Sequence, residues 1–262
     1  MRSLQRYFGP VSIAILLLIT ALAFVNFQGT SSPPPAILDP DFTLWTQTGN
    51  FTQPLVWSLG SNVGREHLML ERVTLLDRNA VRISIYQNGA GSNDSYVTLA
   101  ETLDGERLAH LMNSTVGIWV FKDPCECDSN QLGNASELQA VQVNDGIRTI
   151  SFVFTDKLQG SATFLGHRLV LIPTPSNQWS YEEVNIGREY AAANWLPPNS
   201  LTFTLLFEVR RASVGWHSVY FSQITAQANS QAALTGVVQI SAVSASNFYQ
   251  MFKVQENVAG AE

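Results

Sequence analysis

Few residues in this chain stand at spacings that could carry out catalysis. Four histidines, His67, His110, His167 and His217, are scattered, with no H-E-x-x-H spacing to gather two imidazoles around a zinc ion. No G-x-S-x-G elbow exposes a nucleophilic serine. The stretch Gly89-Ala90-Gly91-Ser92 lacks the lysine of a phosphate-cradling loop and is more simply a turn. Glu182 and Glu183 are neighbours on an expected strand and point to opposite faces, so they cannot flank one glycosidic bond. Cys125 and Cys127 lie in Asp-Pro-Cys-Glu-Cys-Asp. They could form a loop disulfide if Pro124 turns the chain tightly, remain two thiols, or supply half of a metal site. No second cysteine pair completes a metal site, which favours the disulfide.

Sugar recognition is the chemistry the composition suits best. The apolar face of a pyranose stacks on an aromatic ring, while its hydroxyls need amide or acid partners. The chain holds six tryptophans: Trp45, Trp57, Trp119, Trp179, Trp195 and Trp216. Trp45 and Trp119 have apolar strand neighbours and are expected in the core. Trp195, between Asn194 and Pro197-Pro198, is the leading candidate for ligand stacking. Tyr86 and Trp57, with Asn88 and Asn93 of the glycine-rich segment 87–93, are further candidates.

The elements that must position these residues are strands. Short runs rich in Val, Ile, Thr, Phe and Tyr alternate with Gly, Asn, Asp and Pro clusters. Strands are expected at 42–46, 55–59, 67–76, 80–86, 96–102, 116–122, 138–143, 148–155, 167–172, 179–186, 201–210 and 217–224, with a hairpin at Asp77-Arg78-Asn79. In Val81-Arg82-Ile83-Ser84-Ile85 the apolar residues fall on alternate positions, the period of a half-buried strand. Helical turns are expected only at 105–112 and 188–194. Strands do not alternate with long helices, so a nucleotide-binding α/β fold is excluded and an all-β sandwich or jelly roll is expected. The tail suits either an added strand at 234–243 or a helix at 231–254.

The order of features resembles the galactose-binding-like jelly rolls that include many carbohydrate-binding modules. Leu38-Asp39-Pro40-Asp41-Phe42-Thr43, followed by Trp45 and Trp57, is similar to their opening Asn-Pro-x-Phe-Glu strand and the tryptophan after it. The segment 96–103 leading to Gly117-Ile118-Trp119-Val120-Phe121, then Trp179, 201–210 and 219–224, is similar to the paired and closing strands. The resemblance covers about residues 37–226 and implies a jelly roll that binds glycan. It also implies a structural calcium ion, held by the acid of the opening motif and an Asp of the last strand. Those positions here are Thr43 and Ser222, leaving Asp39 and Asp41 as the candidate calcium carboxylates. No other cofactor is indicated.

The front of the chain sets the compartment. Arg2 and Arg6 precede an apolar run at 8–27, and a Ser/Pro spacer follows at 29–36. About 20 apolar residues cross a bilayer as a helix. A signal peptide cleaved after Ala21-Leu22-Ala23 is the competing reading, but the apolar character continues through Phe24, Val25 and Phe27, which favours an anchor. Both readings export the rest of the chain, because the nearby positive charges stay inside. The expected organisation is therefore a cytoplasmic stub (1–7), a transmembrane helix (8–28), the linker, an extracytoplasmic β-sandwich (37–226) and a C-terminal extension (227–262) in a single-pass cell-membrane protein. Asn50, Asn93, Asn113 and Asn134 begin N-x-S/T sequons, which become glycosylation candidates only on export.

Setting Arg2 and Arg6 aside from the 15 basic residues leaves 13 against 21 acidic ones, a net charge of −8. No Lys/Arg cluster is present to neutralise phosphates, so nucleic acid is excluded as a partner. The expected function is a membrane-anchored, non-catalytic module that binds cell-surface or extracellular glycan. An accessory subunit of an envelope or membrane complex, and a carbohydrate-active enzyme on a jelly roll, are the alternatives.

Overall fold

The strand Arg78–Gln87 shows how the pattern becomes architecture. Val81, Ile83 and Ile85 are buried between two sheets, while Arg82 and Tyr86 alternate with them onto the outer face. The computed structural model describes residues 34–48, 51–88, 94–123, 136–210 and 214–228. Among these, the strands are β1 (Trp45–Thr48), β2 (Phe51–Pro54), β3 (Ser58–Ser61), β4 (Leu68–Leu75), β5 (Arg78–Gln87), β6 (Ser95–Asp104), β7 (Ser114–Lys122) and β8 (Glu137–Asn144). They continue with β9 (Thr149–Thr155), β10 (Gly160–Phe164), β11 (His167–Pro173), β12 (Ser180–Val184), β13 (Ser200–Val209) and β14 (Gly215–Ala228). Two helices, α1 (Gly105–Met112) and α2 (Ile186–Ala192), interrupt them.

The strands form a β-sandwich. One sheet has the order β10-β11-β9-β8-β13-β6-β3 and the other β12-β7-β14-β5-β4, with a separate β1-β2 hairpin. All pairings are antiparallel except β9 with β11. From β5 to β8, and again from β12 to β14, successive strands alternate between the sheets. The core between the sheets holds Val81, Ile83, Ile85, Val120, Phe203, Phe207 and Phe221 among others. A smaller cluster, including Leu138, Ala140, Val153 and Leu206, lies on the other side of the seven-stranded sheet.

The sandwich has two chemically distinct ends. At the helical end, α1 packs against α2 and the adjoining ends of β6 and β7. Gly187 of α2 comes so near the Met112 carbonyl that a Cβ there would overlap it. The Asn185 side chain caps α2 by accepting from the Arg188 amide at 2.8 Å. The domain's first residues are held at this end: Leu38 N–H donates to the Glu101 carboxylate, and Arg107 donates to the Ala36 carbonyl at 3.1 Å. At the opposite end the space between the sheets is polar. His217 Nδ1 and Glu137 Oε1 are 2.7 Å apart, Gln87 donates to the Val209 carbonyl, and Lys122 pairs with Asp156 at 2.5 Å.

Several expectations need correction. The expected strand at 42–46 begins only at Trp45, because the Asp39 carboxylate accepts from Thr43 N–H, Thr43 Oγ1 and Leu44 N–H and holds 39–44 as a loop. The segment expected as a strand at 55–59 is largely the turn between β2 and β3. Strands β2 and β10 were not anticipated. The β4–β5 turn is Leu76-Asp77, one residue earlier than expected, and both residues have positive φ (48° and 65°), as a two-residue hairpin turn of this hand requires. Helix α2 starts two residues before its expected position. Trp45 and Trp119 are half-buried, whereas Trp57 is in the core. Among the described residues no helix is long and apolar enough to cross a membrane. The run 8–27 and the tail 229–262 lie outside the described residues.

Candidate binding cleft

The outer face of the five-stranded sheet carries an uncommon concentration of rings. Register places Tyr181 of β12 beside Trp119 of β7, Phe121 beside Tyr220 of β14, Tyr220 beside Arg82 of β5, and Trp216 beside Tyr86. The rings touch: Trp119–Tyr181 centroids are 5.2 Å apart, Phe121–Tyr220 5.4 Å, Phe121–Trp179 5.7 Å and Tyr86–Trp216 5.4 Å. His67 stacks on the far side of this last pair, 5.8 Å from Tyr86. None of these rings is in the main core cluster, and Trp216 is 43 % exposed.

This face is concave. Trp179 Nε1 donates to the Leu75 carbonyl at 2.9 Å. Trp179 immediately precedes β12 and Leu75 ends β4, so the bond joins the two edges of the sheet. In a flat five-stranded sheet those edges would lie roughly 19 Å apart. The bulge in β14 between Ser222 and Thr225, with Gln223 at φ 46°, bends the sheet to allow this closure. The β4–β5 hairpin tip thus crosses the face as a strap. Its Arg78 lies 3.5 Å above the Trp119 ring and donates to Gln223 Oε1 at 2.9 Å. Beneath Tyr181, Gly117 leaves room for the phenol, whose hydroxyl reaches Thr225 Oγ1 at 3.0 Å.

Between the strap and Trp216 the floor is polar. Arg82 meets Glu71 of β4 at 3.5 Å and the Ser218 hydroxyl at 3.3 Å, and Ser218 bonds Ser84 at 2.8 Å. Asp123, next after β7, acts electrostatically on Arg82 and His217. Burial pushes its carboxyl up, and the fields of Arg82 and His217 only partly offset that. The Tyr220 hydroxyl is likewise raised by burial, against the pull of Arg82. Aromatic walls around a hydrogen-bonding floor of guanidinium, carboxylate and hydroxyl groups are what a carbohydrate chain requires.

The residues anticipated from sequence are spread more widely. Tyr86 lines the cleft mouth, and Asn88 is exposed just beyond it. Trp195 is at the helical end, against Tyr190 (5.7 Å) with Arg148 over its ring, and is separated from Tyr86 by the length of β8, about 23 Å. The structure therefore does not bring Trp195 and Tyr86 together. Trp57 is 1 % exposed and wedged between Phe42 and Phe203, so it offers no face to a ligand. Asn93, Asn50, Asn134, Cys125 and Cys127 lie outside the described residues. Asn113 is exposed at the end of α1 and donates to the Ala109 carbonyl.

The residues present do not fit calcium. Both Asp39 oxygens are engaged by hydrogen donors, Asp41 points to solvent, and Ser222 donates to the Asn79 carbonyl. Among the described residues no three His, Cys, Asp or Glu side chains gather as a metal site. Trp216, Phe121, Tyr220, Arg82 and Glu71 were missed from sequence. The available signal was the alternation itself: the solvent-side positions of four strands hold large rings where small polar residues are usual.

No family model matches the chain, and no curated protein matches it in sequence. Solved structures similar to it include carbohydrate-binding modules from the β-sandwich superfamily, at 6 % identity over 65 % of this chain and 56 % of that one, with a TM-score of 0.36. The chain thus spans just over half the length of that relative. It is also similar to the family 30 carbohydrate-binding module of the cellulosomal cellulase Cel9D-Cel44B of Clostridium thermocellum, at 16 % identity over 68 % and 95 % of the two chains, with a TM-score of 0.40. A third likeness is the xyloglucanase domain of NopAA from Sinorhizobium fredii, at 10 % identity over 65 % and 97 %, with a TM-score of 0.35.

Proposed function

We propose that this chain is a non-catalytic glycan-binding module of jelly-roll type, held at the outer side of a cell membrane by residues 8–28. One observation carries the binding reading: Tyr86, Trp216, Phe121 and Tyr220 share a concave face with the Arg82–Glu71 pair. Rings take the apolar faces of sugars, and the charged floor takes their hydroxyls. The alternation of successive strands between two sheets supports the jelly-roll assignment. Arg2 and Arg6 before the apolar run support an N-terminus inside and a domain outside.

Electrophoresis of the full chain through gels containing soluble glucan, xylan or mannan tests the reading. At least one polymer should retard it, Trp216→Ala should abolish the retardation without altering the circular dichroism spectrum, and Trp195→Ala should leave it intact. Free migration in every polymer rejects glycan binding.

A second reading, a carbohydrate-active enzyme, rests on two carboxyl groups that act on Arg82: Glu71, 3.5 Å away in the middle of β4, and Asp123 just after β7, whose ionised form Arg82 favours. Release of reducing ends from the retarding polymer, lost in Asp123→Asn, would establish it in place of a purely binding role.

A further inference from the structure

The helical end exposes apolar side chains that the cleft does not use. Ile147 is 86 % exposed in the β8–β9 turn, Leu165 80 % and Phe164 51 % at the β10–β11 turn, and Leu196 79 % after α2. Single exposed apolar residues are ordinary, but these four are grouped. The Thr149 amide donates to the Gly166 carbonyl, and the Gly166 Cα adjoins the Ile147 carbonyl, so the Ile147 and Leu165 turns lie side by side. On the other flank, Arg148 covers the ring of Trp195, the neighbour of Leu196. The arginines of this end are already paired: Arg148 with Asp145, and Arg168 and Arg188 with Glu189. The surface is therefore apolar at its tips, with three arginines sharing two carboxylates behind them.

The chain enters the domain at this same end, where Ala36 and Leu38 are held by Arg107 and Glu101. Only residues 28–35 separate the apolar run from Ala36, a reach of at most about 30 Å when fully extended. We infer that Ile147, Phe164, Leu165 and Leu196 form a lipid-contacting tip that seats the domain on the bilayer surface, leaving the cleft mouth at Trp216 directed away from it. The inference rests on the anchor reading proposed above. Because Arg148, Arg168 and Arg188 each already have a carboxylate partner, contact is driven by apolar burial, and neither salt nor lipid charge should abolish it.

The test uses the full chain reconstituted in phosphatidylcholine vesicles whose acyl chains are brominated and quench tryptophan at short range. Trp195 is the sequence neighbour of Leu196 in the tip. Quenching should be present, should be lost in Trp195→Phe, and should be lost again in the triple variant Ile147→Asp, Leu165→Asp, Leu196→Asp. The three sites are largely exposed, so that variant should keep the wild-type circular dichroism spectrum. Added salt, or replacement of a third of the lipid by phosphatidylglycerol, should leave the quenching unchanged. Undiminished emission in the wild-type chain, or quenching that survives both variants, overturns the inference. Protection of Trp195 that disappears on dilution in lipid would assign the tip to a second copy and also overturn it. An alkaline carbonate wash separates the two readings: a chain that stays with the vesicles unquenched refutes the tip alone, whereas a chain that washes off refutes the anchor.

Discussion

Trp179 and Leu75, 104 residues apart and at opposite edges of a five-stranded sheet, are joined by an indole-to-carbonyl hydrogen bond of 2.9 Å. That bond turns a row of rings into a cleft, because it draws the β4–β5 hairpin over Trp119. Trp179→Phe keeps the ring contact with Phe121 and removes only the donor. It should lower stability by about 1 kcal/mol in chemical denaturation and speed hydrogen exchange at 75–78, with strands of the seven-stranded sheet unchanged.

The buried ion pair at the open end makes an asymmetric prediction. Lys122 is 2 % exposed, and its partner Asp156 is 24 % exposed and also receives the Ser176 hydroxyl. Asp156→Ala leaves the buried ammonium without its contact partner, with only the more distant field of Glu182, and should cost about 3 kcal/mol. Lys122→Met leaves a carboxylate that water and Ser176 can still serve, so it should cost much less. In the double variant most of the Asp156→Ala loss should disappear. Denaturant midpoints of the three proteins decide this.

Two glycines differ in what opposes a side chain. At Gly117 a Cβ meets the Tyr181 hydroxyl, the far end of a rotatable side chain; at Gly187 it meets the backbone carbonyl of Met112. Gly187→Ala must push α1 and α2 apart and should cost about 2–3 kcal/mol. Gly117→Ala should mainly displace Tyr181, changing near-ultraviolet circular dichroism with a smaller stability loss.

Acid should act through the β8–β9 turn. Burial of Asp145 raises its carboxyl, but the amides of Arg148 and Ile147, the Tyr190 hydroxyl and the Arg148 charge outweigh it, and the net shift is downward. The Tyr190 hydroxyl is pushed well up, by burial and by Asp145, and so remains the donor in their 3.1 Å bond. A carboxyl lowered on folding contributes its stability above the unfolded value, near about pH 4, and loses it as pH falls through the folded value. Asp145→Asn should therefore be less stable than wild type at neutral pH and show a shallower decline below about pH 4. A series of thermal melts across that range measures it.

Much of the fold was legible because it is written in short-range alternation. Val81, Ile83 and Ile85 declare their face within five residues, and the 105–112 helix lies between two strands whose periods break around it. The turn at Leu76-Asp77 was misplaced because Asp77 accepts positive φ readily but Leu76, the other central residue, ordinarily does not. Trp57 was misread because a turn residue is normally at the surface, and only the tertiary contacts with Phe42 and Phe203 bury it. The cleft was illegible for a related reason. Glu71, Arg82, Tyr220, Phe121 and Trp179 come from five separate segments, and no local pattern states their order across the sheet. Tyr86 was a candidate from sequence and its neighbour Trp216 was not, since the pairing of β5 with β14 spans more than 120 residues of sequence.

The strap has a consequence for how a polymer could be held. A ligand lying along β14 from Trp216 meets Arg78 and the Leu75–Trp179 link before it reaches the far edge of the face. If the face binds glycan as proposed, a chain lying along β14 is stopped at the strap, so in that direction it is docked by its terminus. Retention should then scale with the number of chain termini in a preparation and not with its mass, so that partial hydrolysis of a polymer makes it a better ligand, gram for gram.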